Sequence, residues 1–286
     1  MNIFELIKEN YAKMSKGQKK IADFITGNYT KASYLTAAKL GELTGVSEST
    51  VVRFAFELGF EGYPEMVTAI RDYTGSKLTT IERISVMNDQ IGADDAFEKI
   101  LAMDIEKLKK TLDTADKKDF YKAVDTLCGA QNIYVIGARS AAVLARSATF
   151  SFTLIFESVK LVHTTSTSEM FEQILPIGKT DVMIGMTFPR YSKHTVNAMK
   201  FAKESGAKVI GLTDSTLSPV AEFSDSVLIA KSNLTSFADS LVAPMSVLNA
   251  LIVAVGIRKR DYVEENYKRM EEIYEQYEVY KTKGER

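Results

Sequence analysis

The chain has 286 residues, 45% of them hydrophobic, and a formal net charge of −1. That length favours about two domains with substantial cores, and the balanced charge excludes a global basic signature of nucleic-acid binding. The lone cysteine, Cys128, excludes an intrachain disulfide and points to a reducing cytosol, while the opening MNIFELIKEN has acids too early and an apolar run too short for a signal peptide.

Asn2 to Lys13 reads as an amphipathic helix, with Ile3, Phe4, Leu6, Ile7 and Tyr11 at its apolar positions. Ser15-Lys-Gly-Gln18 is a capping box that opens a second helix through Asn28, burying Ile21, Ala22, Phe24 and Ile25. Leu35 to Pro64 then predicts two short helices joined by a tight turn. Ala37, Ala38, Leu40 and Leu43 give the first an apolar face, and Gly45 ends it where a helix needs positive φ. Val46 plugs the turn. Ser47 is the N-cap of the next helix, with Glu48 in its first turn. Val51, Phe54, Ala55 and Leu58 recur at helical spacing and face the core. Ser47, Glu48, Ser49, Thr50 and Arg53 are left on the outer face near that helix's N-terminus. Short hydroxyls and one arginine there suit a helix-turn-helix whose second helix enters the DNA major groove; the plain alternative is a hairpin that only packs. Within residues 1–77 ten Lys/Arg stand against nine Asp/Glu, a net +1. Any basic patch is therefore local, from Lys16, Lys19, Lys20, Lys39 and Arg53, and a dimer doubles it.

Two glycines, Gly59 and Gly62, close the reading helix, and Pro64 starts a last helix to about Tyr73. A linker opens in the Thr74–Thr80 stretch, so residues 1–77 form the helix-turn-helix domain, 78–94 the linker and 95–286 the second domain. Asp94 and Asp95 cap a helix from Ala96 to about Leu112, and Asp116 opens another to about Leu127. Five apolar β runs follow: Asn132–Ile136, Lys160–His163, Asp181–Met186, Gly206–Thr213 and Ser226–Ala230. Helices are expected over Ala141–Phe156 and His194–Ser205. Alternating strands and helices predict an α/β fold, a doubly wound five-stranded parallel sheet behind the all-α N-terminal domain. Phe237–Ile257 is a mostly apolar helix. Its core, Leu241–Ile257, contains Pro244, Ser246 and Asn249 and barely reaches the ~17 residues of a membrane span. It reads as a buried helix or a dimer interface, and no membrane partner is expected. The charged tail Arg258–Arg286 is expected to be helical and carries an aromatic stripe of Tyr262, Tyr267, Ile273, Tyr274 and Tyr277.

Ligands of open parallel sheets sit at the C-terminal strand ends, and three loops rich in hydroxyls fall there. They are Gly137-Ala-Arg139-Ser140, Thr164–Glu169 with Ser166 and Ser168, and Thr187–Lys193 with Arg190 and Ser192. Hydroxyls, close backbone and helix N-termini suit a phosphate, and Arg139, Arg190 and Lys193 add positive charge. A dinucleotide site is excluded. Gly137-Ala-Arg-Ser is not GxGxxG, and the second strand ends in His163-Thr164 with no acid for a ribose. A Walker A motif and a GxSxG elbow are also missing. With His163 and His194 the only histidines, no metal and no cofactor are expected.

Ala38–Phe54 and Leu58–Tyr63 closely resemble the N-terminal domain of RpiR-type bacterial transcription regulators. Ile136–Ser140 and Thr187–Lys193 look like the phosphate loops of the sugar isomerase (SIS) domain that follows it in that family. The resemblance implies a homodimeric or homotetrameric cytoplasmic regulator of carbohydrate-metabolism genes, not an enzyme. Its partners are then a double-stranded DNA operator and a phosphorylated sugar. By motif position Ser140, Thr187 and Ser192 hold the phosphate. SIS proteins often carry a Ser-x-Ser pair after the third strand; here Gly185 stands where its first serine would be, and Phe188-Pro189-Arg190 replace a glycine-bearing turn. The alternative is a phosphosugar aldose–ketose isomerase, with Glu169 as base and His163 or His194 opening the ring. A standalone enzyme, however, has no need of Val46–Tyr63.

Overall fold

The computed structural model describes residues 3–75, 81, 84, 95–232 and 239–280. It has two compact units, the first within residues 1–95 and the second comprising 96–232 and 239–286. The linker expected over 78–94 lies outside the described residues apart from Ile81 and Ile84, and Asp94 lies outside them too.

The first unit is helical: α1 (Ile3–Asn10), a 3-10 turn (Tyr11–Lys13), α2 (Lys16–Gly27), α3 (Tyr29–Ala32), α4 (Ala37–Thr44), α5 (Glu48–Glu57) and α6 (Tyr63–Gly75). The capping box forms as expected: Ser15 Oγ accepts the Gln18 N–H, and Gln18 Oε1 accepts the Ser15 N–H at 2.7 Å. Gln18 also donates to Glu57, tying α2 to the end of α5. Gly45 sits at φ 66°. There the Val46 N–H reaches the Gly41 carbonyl at 2.9 Å and the Gly45 N–H reaches Glu42 at 3.4 Å, the paired bonds of a left-handed helix end. Ile21, Ala22, Ile25, Leu40, Val51, Phe54, Ala55, Met66 and Ile70 share one core, and Leu58 joins it, so α5 buries the expected face. α4 does not. Its buried side is Ala37, Leu40, Gly41 and Thr44, with Ala38 and Leu43 exposed. Two turns of helix contain too few apolar repeats to fix the phase. The first helix stops at Asn10, because Tyr11–Lys13 tighten into the 3-10 turn, and Phe24 is only half-buried.

The second unit runs α7 (Ala96–Thr114), α8 (Lys117–Cys128), β1 (Ile133–Gly137), α9 (Ala141–Phe152), β2 (Val159–Val162), α10 (Thr167–Ile174), β3 (Val182–Met186), α11 (Lys193–Glu204), β4 (Lys208–Thr213), β5 (Ser226–Ile229), α12 (Val242–Arg258) and α13 (Arg260–Gln276). All five strands are parallel, in the order β2-β1-β3-β4-β5. Strand residues alternate between the two faces. Ile133, Val135, Val182 and Ile184 pack with α8, α9 and α12. Tyr134, Ile136 and Met183 pack with α10 and α11. The expected doubly wound sheet is therefore covered on both sides, as parallel sheets require. The outer edge of β5 is closed by side chains. Asp119 accepts the Val227 N–H at 2.7 Å and Thr111 accepts the Lys231 N–H at 2.9 Å, which blunts edge pairing.

Two boundaries and one added helix differ from expectation. α9 ends at Phe152, not Phe156, yet Phe156 stays buried edge-on to Phe152 at 5.8 Å, so its hydrophobicity signals core and not helix. α10 follows β2 where only a loop was expected. α12 begins at Val242; Asp239–Leu241 are not helical, and Phe237, where the helix was expected to start, lies outside the described residues. α12 buries Ala243, Pro244, Leu248, Leu251 and Val255 in the core while Val253 and Ile257 are exposed. Among the described residues no single helix is long and apolar enough to cross a membrane.

Candidate functional site

The first candidate surface is the N-terminal end of α5. Ser47, Glu48, Ser49 and Arg53 are exposed and Thr50 is half-buried. Ser47 Oγ accepts the Thr50 N–H at 3.3 Å and lies 2.8 Å from Thr50 Oγ1 and 2.9 Å from Ser49 Oγ. Ser47 and Thr50 therefore mainly build the cap. Arg53 lies along the helix, its Nε 3.4 Å from the Ser49 carbonyl, and reaches outward. α2 meets the turn here. A Cβ on Gly17 would touch Val46 and Thr50, and Lys20 Nζ stands 3.9 Å from the Cβ position of Gly45. Exposed Lys20 thus stands beside the turn that leads into α5, and exposed Lys16 precedes Gly17 on α2. Lys39 is engaged by Glu42 at 2.7 Å, and Lys19 sits over the Tyr11 ring at 5.5 Å. The local basic patch reduces to Lys16, Lys20 and Arg53.

Strand order creates the second candidate site. The connection leaving β1 leads to β2 on one side, and that leaving β3 leads to β4 on the other, so a crevice opens between the ends of β1 and β3. Gly137 pairs with Met186 across it, bringing the 137–140 and 187–193 loops side by side. Arg139 and Arg190, both exposed, adopt left-handed backbone, at φ 58° and 67°. That conformation is costly for arginine and marks loops held in shape by their surroundings. Buried Thr187 accepts the Ser192 N–H through Oγ1 at 3.0 Å, closing its loop and leaving the hydroxyl proton to donate. Ser192 caps α11 through the Thr195 N–H at 3.5 Å, and Lys193 is the exposed first residue of that helix. Tyr191 braces the loop on Asp214 at 3.0 Å.

Ser140 is turned elsewhere. It makes no cap bond to its own helix and donates to Asp239 Oδ2 at 2.8 Å. Asp239 carried no sequence motif, because it lies 99 residues from Ser140 along the chain. Gly185 is a packing position inside β3. A Cβ there would stand 2.0 Å from Met199 Sδ, so the strand-end hydroxyl is Thr187, and Arg190 holds the left-handed turn where a glycine would be unstrained.

The third loop stands beside the crevice, since β2 borders β1 on the side away from β3. Ser166 accepts the Glu169 N–H at 3.2 Å as cap of α10, and Ser168 Oγ lies 3.4 Å from Ser166 Oγ. Thr165 donates to Glu169 at 2.5 Å. His163, Thr165, Glu169, Glu172 and Gln173 line a shallow depression of about 470 Å³. His194 lies on α11 instead. Among the described residues no cluster of three or more His, Cys, Asp or Glu is arranged to hold a metal. Burial pushes the Cys128 thiol up, against a smaller opposing pull from Lys259 and Arg258, which disfavours a nucleophilic thiolate.

Two family models match: the helix-turn-helix domain of the rpiR family over residues 1–77 and the SIS domain over 126–254. The chain is 28% identical over 231 residues to an uncharacterized HTH-type transcriptional regulator of Haemophilus influenzae, covering 80% of this chain and 79% of that protein. It is 26% identical to another such regulator of Clostridium perfringens, with 83% and 84% covered. The sugar isomerase domain of an RpiR transcription factor from Sphaerobacter thermophilus superposes with a TM-score of 0.59 at 24% identity, covering 62% of this chain and 99% of that one. NanR of Vibrio vulnificus, solved in complex with ManNAc-6P, gives a TM-score of 0.59 at 20% identity, with 96% and 98% covered.

Proposed function

The chain belongs to the RpiR family, a helix-turn-helix domain followed by a SIS domain, and on that premise we propose that it is a DNA-binding transcriptional regulator of carbohydrate-metabolism genes that senses a phosphosugar. The observation that carries the reading is the start of α5. A capped, exposed helix end carries Ser49 and Arg53, with Lys20 beside the preceding turn and Lys16 on α2. In the proposal Arg53 and Ser49 meet base edges, and Ser47, Thr50, Lys16 and Lys20 take phosphates. Glu48 sits where an acid steadies the helix dipole and where it would repel a misplaced phosphate. Residues 1–77 are the reading domain, 78–94 the linker and 95–286 the sensor.

The effector's phosphate would lie in the crevice between β1 and β3, held by Gly137, Ser140, Thr187 and Ser192 with Arg139, Arg190 and Lys193 supplying charge. The sugar hydroxyls would extend toward Ser166, Ser168 and Glu169. Two copies of the chain would present two α5 helices to half-sites about 34 Å apart. The exposed side of α12, with Val253 and Ile257, supports a self-association surface. The effector then shifts the pair between arrangements of different half-site fit.

A second reading, an aldose–ketose isomerase, has one supporting observation: His163 and Glu169 line the same depression. The two readings separate in one set of measurements on the full chain. Footprinting of neighbouring promoter DNA should give a protected site, and Arg53→Ala should weaken it by about fivefold to 150-fold, the loss of about 1–3 kcal/mol expected of a base-reading arginine. The same variant should keep its thermal stabilisation by a panel of phosphosugars. Phosphosugar turnover at ordinary enzyme rates without any footprint would overturn the regulator reading.

A further inference from the structure

The contact between Ser140 and Asp239 sits badly with a phosphate site, and that conflict is informative. Ser140 is the N-cap position of α9, at the end of β1, yet its hydroxyl donates outward to the Asp239 carboxylate at 2.8 Å. A carboxylate beside the start of a twelve-residue helix is where the helix dipole favours an anion. Two anions at that half-buried place repel one another. The next residue is tethered as well. Ser240 donates to Asp104 Oδ1 on α7 at 2.7 Å. Asp104 is in turn paired with Lys107 at 3.0 Å, and their side chains are only 13% and 7% exposed. Asp239 and Ser240 thus bridge the crevice wall to a nearly desolvated ion pair on the helix that opens the second unit.

We propose that Asp239 is an internal competitor for the effector site. Its carboxylate occupies the anion position beside Ser140, and the effector's phosphate competes for that position and displaces it. Displacement moves Asp239 off Ser140 and draws Ser240 off Asp104. The phosphate group is thereby reported to α7, the first helix after residue 95. The inference rests on the phosphosugar-sensor reading and adds to it the residue that sets the sensor's threshold. An acid in this place makes affinity lower than the loops alone would give, and it makes binding and a change at α7 the same event.

The test uses the full chain with inorganic phosphate as probe, at constant ionic strength, by calorimetric titration. Asp239→Ala and Asp239→Asn should each bind phosphate about tenfold more tightly than the parent, the effect of removing one close like charge. The Asn variant preserves shape, so a folding defect in the Ala variant does not decide the matter. Ser240→Ala keeps the carboxylate and removes its tether, and should tighten binding by about twofold to fivefold. If the parent binds phosphate and both Asp239 variants bind equally or more weakly, the competitor role is overturned while the sensor reading stands. If no version binds phosphate or any phosphosugar, the sensor reading falls and the competitor with it.

Discussion

Gly41 and Gly185 show how single residues decide the geometry of each unit. A Cβ on Gly41 would lie 2.8 Å from the Val46 carbonyl oxygen and 3.3 Å from the Glu48 nitrogen. Both are backbone atoms of the turn and cannot yield. Gly→Ala normally gains about 1 kcal/mol in a helix interior, but overpacking costs about 1–3 kcal/mol, and with backbone on the far side the cost prevails. Gly41→Ala should lower the melting temperature of the first unit by several degrees, at about 4–8 °C per kcal/mol for a domain this small; an unchanged or raised melting point would contradict the close approach of α4 to α5. At Gly185 the neighbour is the Met199 side chain, its Sδ 2.0 Å and Cγ 2.6 Å from the added Cβ. A methionine can repack. Gly185→Ser should therefore destabilise by about 1–3 kcal/mol, and Met199→Ala in the same chain should recover part of that loss. If the serine instead tightens phosphate binding at unchanged stability, this position belongs to the pocket and not to the strand interior.

At the scale of elements, helix ends were legible because their chemistry is local. Ser15 with Gln18, Gly45, Ser47 and Asp116 each satisfy backbone groups within a few residues, and all four act as read. α3 has four residues and no capping side chain, so it left no signal. The Ser166-Thr-Ser-Glu169 stretch also has the pattern that starts a helix, and Ser166 caps α10. Asp225, which joins α11 to the strands, left no motif either. It accepts from Lys203 at 2.7 Å and from the Val209 N–H at 2.9 Å. Burial works against its charge, but the Lys203 and Val209 bonds with Lys208 outweigh that and hold the carboxyl below the usual carboxylate range. A carboxyl lowered by folding stabilises the folded state above its unfolded value, about 3.9 for Asp, and that contribution disappears as pH falls through the folded value. Asp225→Asn should thus cost about 1–2 kcal/mol at neutral pH, with parent and variant converging in acid below the normal Asp range. A difference that persists unchanged at pH 2 would assign the loss to packing instead of charge.

For the whole molecule, the alternation of apolar runs and helical patterns was enough to read a doubly wound sheet, because both faces of each strand must be covered. The strand order was not readable: nothing in β1 or β3 says that they are neighbours, and only their side-by-side pairing makes the crevice. For the same reason Asp239 has no signal in its local sequence, while Gly137, Arg139 and Thr187 are marked by their place after strands. Among the described residues each unit has its own core. Calorimetry of the full chain should therefore resolve two transitions. A phosphosugar should raise only the transition of the larger unit. At a hundredfold excess over Kd the gain is about 2.7 kcal/mol, and at about 2–4 °C per kcal/mol for a unit of this size that is roughly 5–10 °C. Duplex operator DNA should raise only the other transition, and Gly41→Ala should lower that one alone. A single transition that moves as a whole with either ligand would mean that the units unfold as one body, and that effector and DNA are coupled through a shared folding equilibrium instead of through a shift within the sensor.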